Sequence, residues 1–179
     1  YLLLGGKCSS CKSPIAWRYP AIELLTGVLS ALVIWQLGLT PGSLMILLAT
    51  WALIALSFID IDHQLLPDSI TLPFLWLGLL VNSFGLFVPL SDAVWGAIAG
   101  YLILWSVYWS FKLLTGKEGM GYGDFKLLAA FGAWMGWQAL PVIILLSALS
   151  GIAVTLLQML IAGRSRHQPI PFGPYLAIA

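Results

Sequence analysis

Charge is scarce in this chain. Of its 179 residues, eight are Lys or Arg and seven are Asp or Glu, 8% in all, against about 25% in an ordinary soluble domain. With 60% hydrophobic residues, this excludes a soluble globular protein. The net charge of +1 provides no basic field able to neutralise a run of phosphates, so nucleic acid is not expected as a partner. Cysteine is almost missing too. Cys8 and Cys11, in C-S-S-C beside Lys7 and Lys12, are too few for a disulfide framework and have the spacing of a metal or redox pair. The first residue is Tyr1 rather than Met, and the chain stops at Ala179 a few residues into a new apolar run. The expectation is therefore a piece trimmed from a longer protein.

What the chain has in abundance is long apolar runs. Residues 1–20, with Lys7, Lys12, Arg18, Pro14 and Pro20, read as the stub of a polar loop. Six apolar runs follow at about 21–38, 43–59, 70–89, 93–113, 124–137 and 140–162, and a seventh starts near Phe172. A bilayer span takes about 20 mostly apolar residues. Lipid leaves no water for exposed backbone groups, and the period-2 alternation of a membrane barrel is missing, so the runs are read as helices. The expected fold is an all-α polytopic integral membrane bundle of roughly six to seven transmembrane helices. Turn chemistry separates the runs: Thr40-Pro41-Gly42, Leu66-Pro67-Asp68, Val88-Pro89, the glycine-rich Gly116 to Gly123, and Gly163 followed by Pro169 and Pro171. The fifth run, Asp124 to Trp137, gives only about 21 Å of helix. Either it crosses at a thin place, or it begins below the membrane surface with Asp124 in a water-filled cavity.

The basic residues set the orientation. Lys7, Lys12 and Arg18 precede the first run, Lys112, Lys117 and Lys126 surround the fourth-to-fifth connection, and Arg164 and Arg166 follow the sixth. All fall on one side, which the positive-inside rule makes cytoplasmic. The opposite loops hold no Lys or Arg, and Trp35, Trp95 and Trp137 stand beside them as interfacial anchors would.

Intramembrane carboxylates are functional candidates by default. Asp60 ends the second run in F-I-D-I-D-H, and Asp124 opens the fifth in G-M-G-Y-G-D-F-K. Topology puts both at the cytoplasmic ends of their helices. Two carboxylates at one site with water access can share a proton, because like charges a few Å apart do not both ionise cheaply. One then activates water while the other protonates the carbonyl or leaving amine, which is aspartic-protease chemistry. The competing reading for Asp124 is an N-cap or a solvated interfacial residue, and the same bland reading applies to Asp62, Asp68 and Glu118. The glycines of G-M-G-Y-G-D allow close approach of a substrate strand. Gly132 and Gly136 fit a small-xxx-small helix contact.

F-I-D-I-D-H-Q-L-L-P-D, then G-Y-G-D-F-K-L-L-A-A-F-G-A-W-M-G-W, both preceded by C-S-S-C-K-S-P-I-A-W-R-Y-P-A-I-E-L-L-T, resemble the type IV prepilin peptidases of bacteria. These are membrane aspartic proteases of the GxGD type, distantly similar to presenilins. The resemblance covers nearly the whole chain with three motifs in order. It implies a catalytic pair: Asp60, seven residues before Pro67, rather than Asp62, and Asp124 of GxGD, 64 residues further on. It also implies roughly eight spans in the intact protein, with residues 1–20 the remnant of a cytosolic CxxC loop and 21–179 the membrane-embedded peptidase domain.

The implied activity is removal of the short basic leader of type IV prepilins and type II secretion pseudopilins at the cytoplasmic face of the bacterial inner membrane. Asp62, Asp68 and Glu118 would attract the leader's cations, and Gly121, Gly123 and Lys126 complete the substrate-binding expectation. Proteolysis needs no cofactor. Many members also methylate the new N-terminus with S-adenosylmethionine and carry two CxxC pairs suited to structural zinc. Two thiolates cannot close a tetrahedral site, so zinc at Cys8 and Cys11 requires a second pair outside this chain. Leu4-Gly5-Gly6 stands where members often have Leu-Arg-Gly. The rival is a proton-coupled transporter or channel using Asp60 and Asp124 as a relay. Against it, both aspartates fall on one side rather than at the midplane, and no inverted repeat of interrupted helices is visible.

Overall fold

The computed structural model describes residues 6–117, 119–162 and 171–179. Seven α-helices occur among them, with no strand beyond an isolated bridge between Lys7 and Pro14. They are α1 (Arg18–Leu37), α2 (Pro41–His63), α3 (Asp68–Ser83), α4 (Leu90–Thr115), α5 (Tyr122–Met135), α6 (Leu140–Ala162) and α7 (Gly173–Ile178). A short 3₁₀ turn, Trp137–Ala139, leads into α6. Each expected apolar run is a helix. Four segments are long and apolar enough to cross a membrane: Arg18–Leu37, Pro41–His63, Leu90–Thr115 and Trp137–Leu160. Among the described residues α3, α5 and α7 are shorter, with 16, 14 and six residues, and the whole agrees with the expected all-α polytopic membrane bundle.

The chain divides into two compact units, one up to Trp51 and one from Ala52 onward. In the first, the Trp51 indole N–H donates to Ser30 Oγ at 2.9 Å and so ties α2 to α1. No residue of α1 is buried, as suits an all-round apolar helix facing lipid.

In the second unit α5 is the centre. Ten of its 14 residues are buried, so its shortness has a physical reason: its flanks meet protein, not hydrocarbon. It packs between α4 and α3. Gly96 and Gly132 let the α4 and α5 backbones touch, because a Cβ at either would collide with the carbonyl of the other. One turn along, a Cβ at Gly100 would lie 2.6 Å from the Leu128 carbonyl oxygen. Gly132 therefore makes the helix contact expected of it. Gly136 stands at the end of that contact and also terminates α5, with φ of +80°.

On the other flank Trp134 of α5 stacks on Phe74 of α3 at 5.2 Å and donates its indole N–H to the Phe74 carbonyl at 2.8 Å. The third run was expected to reach residue 89, but α3 stops at Ser83. Buried Asn82 is the reason. Its Oδ1 accepts the N–H groups of Phe87 and Val88, both at 3.1 Å, and its Nδ2 donates to the carbonyls of Ala133 and Trp134 at 2.8 and 3.1 Å. One amide thus folds the chain back after α3 and satisfies orphan carbonyls at the end of α5. Replacing Asn82 with Ala strands these buried groups, each costing about 1–3 kcal/mol unpaired. The expected outcome is a thermal midpoint lower by several degrees in detergent, whereas Phe84→Ala, at an 80% exposed position, leaves it unchanged.

Candidate active site

Asp60 lies in the last turn of α2. The helix stops just beyond it, where Gln64, at φ of +51°, donates its N–H to the Asp60 carbonyl at 2.9 Å. The connection to α3 turns inward at Leu66, which is buried, and Pro67 opens α3. Asp124 is the third residue of α5. Its Oδ2 accepts the N–H of Gly121, the N-cap, at 3.2 Å, one half of a capping box. Asp124 is therefore neither the N-cap nor a solvated residue: it is buried at N3, and its carboxylate reaches back to the N–H of Gly121.

Both carboxylates are nearly fully buried, Asp60 at 5% and Asp124 at 7% exposure. They line one cavity of about 1330 Å³. One wall comes from Ala148, Gly151, Ile152 and Thr155 of α6, and another from Pro171, Phe172 and Tyr175.

The two GxGD glycines have different jobs. A Cβ on Gly123 would lie 2.7 Å from Leu66 Cβ, so its bareness lets the start of α5 seat on the α2–α3 connection that follows Asp60. Gly121 meets only Asp124 Oδ2 at 3.6 Å and the Gly123 nitrogen at 4.0 Å, and its φ of −80° is open to any residue. It is an unobstructed backbone stretch on the cavity wall.

Of the other expected residues, Asp68 and Lys126 also line the cavity and pair with each other, Lys126 Nζ lying 2.6 and 2.7 Å from the two Asp68 oxygens. Asp68 is thus paired with a cation from its own chain. Asp62 is exposed and is not among the residues lining the cavity. Glu118, Arg164 and Arg166 lie outside the described residues.

Cys8 and Cys11 sit in a tight hairpin in which Cys8 N–H donates to the Ser13 carbonyl at 2.9 Å. The Ser13 side chain, 3.0 Å from Cys11 Sγ, pulls the exposed Cys11 thiol down to about 7. Among the described residues no three His, Cys, Asp or Glu side chains form a metal-binding group. Zinc is therefore not supported by this chain's own residues, because two thiolates leave half of a tetrahedron without ligands.

Sequence reasoning gave no role to the segment entering α7. Gly173 is buried, and its N–H donates to Asp60 Oδ2 at 2.8 Å. The only available signal was the crowding of Pro169, Pro171, Gly173 and Pro174, which marks an irregular backbone without naming its partner.

Residues 47–156 match the type IV leader peptidase family, and residues 1–37 match the bacterial peptidase A24 N-terminal domain. The chain is 60% identical over 179 residues to prepilin leader peptidase/N-methyltransferases of Stutzerimonas stutzeri, Pseudomonas aeruginosa and Aeromonas hydrophila. Each match covers 100% of this chain and 62% of the relative. No solved structure matches significantly.

Gly123→Ala should lower the thermal midpoint by several degrees, since overpacking costs about 1–3 kcal/mol. Gly121→Ala should leave that midpoint in place. Any loss of activity in the folded Gly121→Ala protein would then report the approach of substrate rather than the packing of the site.

Proposed function

This chain belongs to the type IV leader peptidase family, and from that premise we propose that it carries the peptidase site of a membrane aspartic endopeptidase. Its substrates are type IV prepilins and the pseudopilins of type II secretion, from which it removes the short basic leader. The observation that carries this reading is the meeting of Asp60 and Asp124, two buried carboxylates from separate helices, in one large cavity.

The reaction needs one carboxylate ionised and one protonated. The ionised member takes a proton from a water molecule as that water attacks the scissile carbonyl. The protonated member donates to the carbonyl oxygen, and later a proton reaches the leaving amine. Because the pair titrates as one coupled system, base and acid are roles of the pair rather than of either residue. Burial of both groups keeps bulk water from screening the charge that develops in the transition state. The open backbone at Gly121 gives an extended substrate strand room beside Asp124.

A basic leader would meet Asp68 already paired with Lys126. That pair is partly exposed, with side chains 54% and 28% accessible, and such pairs contribute only about 0–1 kcal/mol. A cation from the leader can therefore displace Lys126 at little cost. Asp62 and Glu118 are the other acidic residues proposed to attract the leader. Residues 1–20 are assigned to a cytosolic CxxC loop and 21–179 to the peptidase domain. The basic loops and the cavity face the cytoplasm from a multi-pass position in the bacterial inner membrane. The intact protein, like relatives whose name includes N-methyltransferase, is proposed to methylate the new N-terminus with S-adenosylmethionine, while cleavage itself uses no cofactor.

The decisive assay is prepilin cleavage in membranes by the intact protein at matched expression. Asp60→Asn and Asp124→Asn should each lose at least about 100-fold in rate, as removal of a general acid or base does. Asp62→Asn should still cleave, with kcat little changed. Full activity in either of the first two variants would overturn the assignment. Charge reversal at Asp62, Asp68 or Glu118 should raise KM for prepilin with kcat little changed, and indifference to all three would remove the acidic docking role.

A further inference from the structure

The two carboxylates are restrained in the same manner by different parts of the chain. Asp124 Oδ2 is held by Gly121 N–H, three residues away. Asp60 Oδ2 is held by Gly173 N–H, 113 residues away. A backbone amide donates and never accepts, and a carbonyl oxygen accepts from it better than a hydroxyl oxygen does. The contact from Gly173 N–H to Oδ2 therefore favours Oδ1 as the proton-carrying oxygen when Asp60 is neutral.

Gly173 also has no conformational need to be glycine, because it is not among the residues with positive φ. What demands glycine is Asp60 itself. A Cβ at position 173 would stand 2.9 Å from Asp60 Oδ2, 3.1 Å from Leu66 Cδ2 and 3.3 Å from Asp60 Cγ. Leu66 is thus wedged between two bare backbones, Gly123 of α5 and Gly173 of α7.

We propose that Gly173 is a positioning residue for the peptidase reaction: its N–H locks Asp60 Oδ2 and leaves Oδ1 as the oxygen that exchanges the proton with water or substrate. This rests on the reading of Asp60 and Asp124 as the catalytic pair. Gly173 touches no substrate atom in this scheme and acts through the orientation of Asp60.

The test compares the intact protein with Gly173→Ala and, as a control on the same helix, Ile178→Ala, whose side chain is 78% exposed. Prepilin cleavage is followed across pH in membranes. Gly173→Ala should lose about tenfold or more in kcat with KM within about twofold, the pattern of an interaction that matters in the transition state. Its pH–rate profile should shift, and Ile178→Ala should behave as wild type. An infrared titration provides a readout independent of turnover. The carboxyl band that Asp60→Asn removes should move in Gly173→Ala and stay in place in Ile178→Ala.

A Gly173→Ala protein with wild-type kcat overturns the proposal. So does one whose kcat falls while the pH profile and the carboxyl band stay put, since that is the mark of a smaller folded fraction. If Asp60→Asn or Asp124→Asn itself remains active, the catalytic pair is wrong and the proposal falls with it. If both are inactive while Gly173→Ala matches wild type, the pair stands and only the role of Gly173 fails.

Discussion

The contact between the α4 and α5 backbones at Gly96 and Gly132 determines where everything else in the second unit can go. Neither position tolerates even a methyl group, so the two helix axes approach as closely as main chains allow, the geometry that small residues permit between membrane helices. With α5 held at that depth, Trp134 reaches Phe74 on α3, Asn82 reaches the last carbonyls of α5, and the other end of α5 meets Leu66. A 14-residue helix too short to span a bilayer by itself becomes the pillar of the unit.

The site is built on the same economy of side-chain volume. Among the described residues its two carboxylates are held by backbone donors, at Gly121 and Gly173. Backbone donors are stiffer than long side chains and lose little rotamer freedom in holding a ligand. By contrast the bidentate pair of Asp68 and Lys126 is partly exposed and can exchange partners. The cavity thus combines a fixed buried pair with an adjustable pair nearer water. The proposed reaction, which orients a water molecule beside an extended substrate strand, has use for both.

Hydropathy made the helices legible, because each is apolar over its whole length and the breaks carry proline or glycine. It overstated the third run, since no period in the sequence announces that the Asn82 amide will capture Phe87 and Val88 and turn the chain. It set the fifth run apart as short, and the burial of ten of the 14 residues of α5 in protein gives that shortness its setting. Asp60 and Asp124 stood out as carboxylates in apolar surroundings, and only the family resemblance preferred Asp60 to Asp62. The structure brings Asp60 and Asp124 into one cavity. Gly173 was illegible for a different reason. Its contribution is an N–H, which every residue but proline has, and its partner lies 113 positions away.

The burial of α5 also bears on how the chain is assembled. A segment of 14 residues carrying Asp124 and Lys126 falls short of the roughly 20 apolar residues that partition into a bilayer independently. α4 and the segment Trp137–Leu160 meet that measure by themselves, so the groove between α4 and α3 supplies what the length of α5 does not. Asp60 and Asp124 stand on different helices, and the cavity they share exists only where that packing is complete.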